Sequence, residues 1–333
     1  MKITVGIGAS RANTVEAAAR SICEQTWPDW ELLIVGQGPD TRPTTRALVA
    51  AGEWLERCDP RIKYIHLPEM GLSRARNEAI CRAQGEVIAF TDDDCEAEPQ
   101  WLAVIAAQMQ SDPSVGVVGG ALLPPPATRL GLSACPTSLP AESFYDPALH
   151  HYTPPPGWDW VGASVALRTE AAAQVGLFDE FLGPGAIFPS GEDTDYKLRL
   201  EAAGVRMLTT PRAAVRHTYG RRFGLLAVGR MSRNYARGAG AVAGKLTAAG
   251  DPRGAVWVRA AYREFWRDLL RLRRSGPAVY RLPHFARAYR EVLAGYTVDP
   301  GTGCLQPKSS ETARSTWTAS ARRGGSQCGE YCN

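Results

Sequence analysis

The sequence predicts an α/β protein: a mostly parallel, Rossmann-like sheet with helices on both faces, followed by a helical segment toward the C-terminus. Three observations predict it. Short apolar strands alternate with helical stretches of about 10–15 residues through the first hundred positions, the signature of βαβ units. A chain of 333 residues with 44% hydrophobic and 22% charged residues can bury one large core, or one core plus a helical appendage. From about residue 220 the strand pattern gives way to helical periodicity alone.

The elements follow in order. Ile3–Ile7 is a β-branched run, and Ala12–Gln25 has a helical rhythm. Glu31–Val35 is a second apolar strand, closed by Gly36-Gln37-Gly38-Pro39-Asp40. A helix over Thr44–Arg57, a strand over Ile62–Leu67, a helix over Ser73–Gln84 and a strand over Glu86–Thr91 continue the alternation. In such sheets ligands bind beyond the carboxyl ends of strands, which directs attention to residues 8–13, 36–40, 68–77 and 91–96. Residues 120–160 carry the proline runs Pro124-Pro125-Pro126 and Pro154-Pro155-Pro156 and read as long loops, the kind that serve as lids or binding loops. A strand over Trp160–Arg168, a short helix to Val175, a glycine-rich loop over Gly183–Gly191 and a helix from Glu192 complete this part. Three stretches result: 1–220, an α/β domain; 221–298, a basic helical extension; and 299–333, a tail without periodicity that is expected to be disordered.

Charge is distributed unevenly. The net charge is +4, yet residues 201–290 hold 19 Arg or Lys against 4 Asp or Glu. Arg259, Arg263, Arg267 and Arg271 recur every four residues and stack on one helical face, with Val258, Ala261, Phe265, Leu269 and Leu272 opposite. A basic helical face suits an anionic membrane surface or a plain solvated exterior; no nucleic-acid motif accompanies it. The chain runs from Met1 straight into a strand pattern, and no run reaches the roughly 20 apolar residues that span a bilayer. The eight cysteines form no CxxC pair, which argues against a zinc site or a disulfide scaffold and for a reducing compartment. The expectation is a cytoplasmic protein, with possible peripheral contact at the inner face of a membrane.

Four features carry chemistry. Phe90-Thr91-Asp92-Asp93-Asp94-Cys95 sets three adjacent carboxylates at a strand end. Such acids repel unless a cation gathers them, and hard ions such as Mg²⁺ or Mn²⁺ take oxygen ligands and bridge to phosphates; an acidic turn capping the next helix is the alternative. Gly191-Glu192-Asp193-Thr194-Asp195 either complements a helix dipole or supplies a general base. In Gly71-Leu72-Ser73-Arg74-Ala75-Arg76-Asn77-Glu78, two arginines sit in a first helical turn, where cations are unfavourable without an anionic partner. His217 follows the strand-like Ala213–Val215 and is a packing residue or a ligand.

Taken as an ordered set, these segments resemble family 2 glycosyltransferases, inverting enzymes of GT-A fold. The resemblance covers residues 1–220 and includes Gln25–Val35, Val161–Arg168, Gly176–Glu180 and Gly191–Asp195 as well. It implies that Asp92 and Asp94 match the DxD motif, with Asp94 a direct metal ligand, Asp92 a second and His217 completing the contacts of a divalent ion, Mn²⁺ or Mg²⁺. It implies Asp193 as catalytic base, with Glu192 beside it shaping the acceptor site. Ala9, Arg11, Asp40, Arg76, Asn77, Asp92 and Asp93 are then placed on the side of the nucleotide-diphosphate sugar. The chain departs from the family in its first loop, Gly8-Ala9-Ser10-Arg11-Ala12, and after the second strand, where the acidic pair is missing and either Asp40 substitutes for it or the nucleotide is held differently. The implied partners are a nucleotide-sugar donor and a saccharide or lipid-linked acceptor of cell-envelope polysaccharide synthesis, with no nucleic acid. A nucleotidyltransferase and a non-catalytic nucleotide-sugar-binding relative are the competing readings.

Overall fold

The computed structural model describes residues 1–125, 133–270 and 277–309. The first half contains β1 (Ile3–Ala9), α1 (Ala12–Cys23), β2 (Trp30–Gln37), α2 (Pro43–Cys58), β3 (Ile62–Leu67), α3 (Leu72–Arg82), β4 (Val87–Asp92) and the short β5 (Glu96–Ala97). α4 (Trp101–Ser111), β6 (Val115–Leu123), β7 (Ser133–Ala134), β8 (Ser143–Tyr145), β9 (Val165–Arg168), α5 (Thr169–Val175), α6 (Glu192–Ala202) and β10 (Arg206–Arg216) follow. The last part contains β11 (Arg222–Phe223), α7 (Gly224–Ala248), α8 (Arg253–Leu270), α9 (Pro277–Gly295) and the hairpin strands β12 (Tyr296–Val298) and β13 (Leu305–Pro307).

The main sheet has the order β3-β2-β1-β4-β9-β6-β10-β5, with β8 added beside β10. β1 is parallel to both β2 and β4, so it is covered on both faces and reads as a continuous apolar run, Ile3, Val5 and Ile7 being fully buried. β9 runs antiparallel between β4 and β6, and β10 is parallel to β6. β4, β6 and β10 therefore point the same way. Their carboxyl ends, Asp92, Leu123 and Arg216, meet at one sheet edge, together with the residues that lead into β9.

The middle region is more ordered than its prolines predict. β6 extends through residues 120–123 and β8 lies inside the stretch expected to be loop. The strand expected from Trp160 starts only at Val165, because Val161–Ser164 forms a turn closed by the Ser164 N–H on the Val161 carbonyl at 3.1 Å. Inside the long β10, the step in register between Thr209 and Ala214 interrupts the apolar pattern that would have marked a strand of eleven residues.

α7 and α9 pack along each other and against the α/β part. A Cβ on Gly238 would lie 2.5 Å from the Ser190 backbone, and one on Gly240 would lie 2.2 Å from the Phe285 carbonyl oxygen. Only glycine permits this approach. Farther along α7, the buried Lys245 Nζ reaches both Asp179 and Asp195 at 2.7 Å. Asp179 also accepts the backbone N–H of Leu305 at 2.8 Å. The tail expected from 299 onward is thus folded as far as β13, where Leu305 packs in a core with Leu182, Val242 and Val292; residues 310–333 lie outside the described residues. On α8, Arg259, Arg263 and Arg267 face solvent as the sequence pattern predicts, but Tyr262, Trp266, Leu269 and Leu270 are exposed too, so the apolar residues are not confined to one face. Arg271 and Leu272 lie outside the described residues.

Removing the charge of Lys245 leaves two buried carboxylates without their shared cation. Lys245→Met is expected to cost about 3–5 kcal/mol of stability, measured by denaturant unfolding; a loss below about 1 kcal/mol, the size of an exposed pair, would show that the cluster is solvated.

Candidate active site

Three consecutive aspartates leave the end of β4 in different directions. Asp93 turns beneath the β1–α1 loop, where its Oδ2 accepts the backbone N–H groups of Ser10 at 2.7 Å and Arg11 at 3.0 Å, and its Oδ1 accepts Arg11 Nε–H at 3.0 Å. Asp94 is buried between cations: Arg11 at 2.7 Å, His217 Nε2 at 3.3 Å and Arg222 at 3.5 Å. Burial pushes the Asp94 carboxyl up, but the hydrogen bond to His217 and the charges of Arg11, His217 and Arg222 outweigh it and hold the group well below the usual carboxylate range. Asp92, the last residue of β4, faces a cavity, and burial beside Asp94 raises it despite Arg76.

The second acidic cluster opens α6. Gly191 has φ +93°, a left-handed conformation that lets the chain turn sharply from the glycine-rich loop into the helix. Glu192, Asp193 and Asp195 occupy its first turn, where the helix dipole favours negative charge. Glu192 is buried and paired with Arg76 at 3.1 Å. The other arm of the same guanidinium reaches Asp92 at 3.4 Å. Arg76 thereby joins two acidic clusters about one hundred residues apart in sequence, and its position in the first turn of α3 is explained by these partners. Burial and the neighbouring Asp193 push Glu192 up to about 7, against the pull of Arg76. Asp193 remains half-buried; its Oδ2 accepts the Gly162 N–H at 3.2 Å and its Oδ1 the Thr194 N–H at 2.7 Å, which fixes the carboxylate's direction.

His217 emerges from the carboxyl end of β10. Its Nδ1 donates to the Pro136 carbonyl at 2.9 Å and lies 3.5 Å from Cys135 Sγ, so Nε2 is aimed at Asp94. Burial opposes a charged imidazole, but Asp94 raises the His217 pKa. Asp92 and His217 lie in the wall of one cavity of about 770 Å³, together with Arg76, Glu192, Asp193 and Gly162. Arg222 of β11 and Arg230, Asn234 and Tyr235 of α7 also line it.

Other predicted residues fall outside this cavity. Ala9 is buried at the end of β1. Arg11 spends its guanidinium on Asp93 and Asp94, facing a separate hollow near Tyr219. Asp40 is exposed and pairs with His66 at 2.7 Å. Asn77 donates to the Phe178 carbonyl at 3.0 Å and accepts the Phe178 N–H at 2.8 Å, so its amide clamps the loop before Glu180 rather than facing a ligand. The α7 residues Arg230, Asn234 and Tyr235 escaped the sequence because they belong to no motif; their helix is brought to the site by tertiary packing, with Gly238 against Ser190 and Lys245 on Asp179 and Asp195.

Ligand atoms of Asp94, Cys95 and His217 lie within 4.8 Å of one another. With Nδ1 donating to Pro136, a neutral His217 would set the Nε2 lone pair against a carboxylate oxygen 3.3 Å away, a repulsion that a proton or a cation relieves. Burial first, then Asp92 and Asp94, raise the Cys95 thiol well above its ordinary value, which leaves carboxylate oxygen and imidazole nitrogen as the donors suited to Mn²⁺ or Mg²⁺.

Residues 10–131 match the model for glycosyl transferase family 2. The chain is 30% identical over 220 residues to the O-antigen biosynthesis protein RfbC of Myxococcus xanthus, which covers 62% of this chain and 16% of that protein; the chain thus spans about a sixth of this curated relative. In three dimensions it resembles S. aureus TarS 1–349 in complex with UDP-GlcNAc, with a TM-score of 0.56, 17% identity and coverage of 88% of this chain and 83% of the other. It also resembles the mannosyltransferase PcManGT of Pyrobaculum calidifontis in complex with GDP-Man and Mn²⁺, with a TM-score of 0.53, 17% identity and coverage of 88% and 86%. These likenesses show that the fold is GT-A with a helical C-terminal segment.

Glu192 titrates at about 7 in the fold against an ordinary 4.5, so the folded chain binds more protons than the unfolded chain between those values. The stability this group contributes is complete below 4.5 and is lost as pH rises through 7. Glu192→Gln is expected to flatten the fall in melting temperature between about pH 5 and pH 8; an equally steep fall in the variant would trace the effect to another group.

Proposed function

From a chain whose residues 10–131 belong to glycosyl transferase family 2, we propose an inverting hexosyltransferase that moves a sugar from a nucleotide diphosphate to an acceptor hydroxyl with the help of a divalent ion. The observation that carries this reading is the shared cavity: the strand-end Asp92 and His217 and the helix-start Asp193 line one space of about 770 Å³.

Asp193 is the group in position to take a proton. Its carboxylate is half-exposed to the cavity and held in direction by the N–H groups of Gly162 and Thr194. As the acceptor oxygen attacks the anomeric carbon, its proton passes to Asp193, the new glycosidic bond forms and the bond to the diphosphate breaks; one such displacement inverts the anomeric centre. Asp92, Asp94 and His217 would hold the divalent ion, whose charge, when bound, neutralises the departing diphosphate. Arg76 keeps Asp92 and Glu192 together, and Glu192, uncharged over part of the neutral range, spares Asp193 a second negative neighbour. Arg222, beside Asp94, and Arg230 add positive charge to the cavity lining, where a diphosphate or phosphate group fits.

The reading as a nucleotidyltransferase loses its support at the first loop. Such an enzyme needs free backbone N–H groups there for phosphate, whereas the N–H groups of Ser10 and Arg11 are taken by Asp93. The relative named for O-antigen biosynthesis supports a saccharide or lipid-linked saccharide of the cell envelope as acceptor.

Asp193→Asn is expected to lower the rate of sugar transfer by about a hundredfold or more while leaving donor affinity by calorimetry within a small factor; an unchanged rate would remove Asp193 as the base. Chelation of divalent ions is expected to abolish transfer, and Mn²⁺ to restore it. Full activity in excess chelator would overturn the metal's part.

A further inference from the structure

Several of the most exposed apolar side chains of the C-terminal helices lie toward one end. Phe223, Leu225 and Leu226 stand at the start of α7, with Leu225 79% and Leu226 87% exposed. α8 runs back along α7: a Cβ on Gly254 would touch Thr247 and the Ala243 carbonyl, and Trp257 to Glu264 share a groove with Tyr235 to Ala239. Continuing the six residues to Leu270, about 9 Å of helix, brings Trp266, Leu269 and Leu270 toward the first turns of α7; Leu270 is 78% exposed. α9 begins at the same end, because Tyr280 donates to the Gly229 carbonyl at 3.3 Å and Arg281 to Ser232 Oγ at 2.9 Å.

This apolar end is set in positive charge. Residues 221–290 hold 16 Arg or Lys against 3 Asp or Glu, and one of those acids, Asp251, is taken by Arg253 at the far end of α8. Arg233 of α7, Arg267 of α8 and Arg281 of α9 are exposed on the same three helices. The same end of α7 supplies Ala227, Arg230 and Met231 to the wall of the active-site cavity, and Arg222 of β11 precedes them there. Among the described residues no helix is long and apolar enough to cross a membrane.

We infer that the joined ends of α7, α8 and α9 form a docking surface for an anionic bilayer, in which Phe223, Leu225, Leu226, Trp266 and Leu270 enter the interface and the surrounding arginines meet lipid headgroups. Apolar tips ringed by arginine match the two layers of such an interface, acyl boundary below and negative charge above. A second copy of the chain fits poorly, since a twofold contact would bring the arginine rings together. The surface adjoins the cavity, so docking presents it to an acceptor anchored in the same membrane; only this consequence rests on the transferase reading.

The test is co-sedimentation of the full chain, without nucleotide sugar, with phosphatidylcholine vesicles that contain or lack phosphatidylglycerol. Binding is expected only to the anionic vesicles, falling with added salt, and the double variant Leu225→Ser, Leu226→Ser is expected to bind at least about tenfold more weakly with an unchanged melting temperature. Equal binding to both vesicle types, no binding to either, or full binding by the variant would overturn the surface. So would a concentration-dependent dimer that the double variant dissolves, which would assign the patch to a second copy. Transfer to a water-soluble acceptor, measured on the same variant, is expected to stay at the wild-type level. Loss of vesicle binding with transfer intact isolates the docking surface from the chemistry.

Discussion

Three consecutive carboxylates at a buried strand end constrain everything around them. Close negative charges in a low-dielectric setting raise one another's pKa and oppose folding unless cations sit among them. Asp92, Asp93 and Asp94 resolve this by separating: one toward Arg76, one beneath the first loop, and one among Arg11, His217 and Arg222. Each partner comes from a different element, so the charge balance of a single turn fixes the relative positions of α1, α3, β10 and the entry to α7. The same balance leaves Asp92 and His217 facing the cavity while Asp93 holds the β1–α1 loop.

Arg76 extends that constraint to the second acidic cluster. A guanidinium offers a planar fork with several donors, and here its two arms join Asp92 to Glu192. The buried pairing explains two features that looked unfavourable in isolation: a cation in the first turn of a helix, and a carboxylate at the start of α6 shielded from water. It also separates the roles of neighbouring acids. Glu192 is buried and shifted toward neutrality, whereas Asp193 stays half-exposed with its oxygens oriented by two backbone N–H groups. Two adjacent acids in different surroundings thus acquire different chemistry.

The C-terminal helices belong to the site as much as to the periphery. α7 packs by glycine on Ser190, just before the helix that carries Asp193. Lys245 then secures Asp195 of that helix and Asp179 of the preceding loop, while β13 closes over Asp179 from the other side. The opposite end of α7 leaves apolar side chains in solvent beside the cavity mouth. One helix thereby links the wall of the cavity to a surface that stands exposed among the described residues.

The sequence by itself determined the alternating strands and helices, the acids at the end of β4 and the start of α6, and the arginine that needed an anionic partner, because each is written in local periodicity, capping chemistry or charge. It did not determine the antiparallel insertion of β9, since strand direction depends on pairing between distant segments and leaves no mark in a short apolar run. It placed Asn77 and Asp93 with the ligand-facing residues, whereas tertiary packing spends the amide on Phe178 and the carboxylate on the first loop. Hydrogen-bond partners at such separations are invisible to a linear pattern. The cavity lining from Arg222 to Tyr235 and the shared apolar end of the last three helices exist only because the chain folds back on itself; the physical reason is that a site built at a sheet edge is closed by whatever element packs across it, and that choice is made by burial rather than by motif.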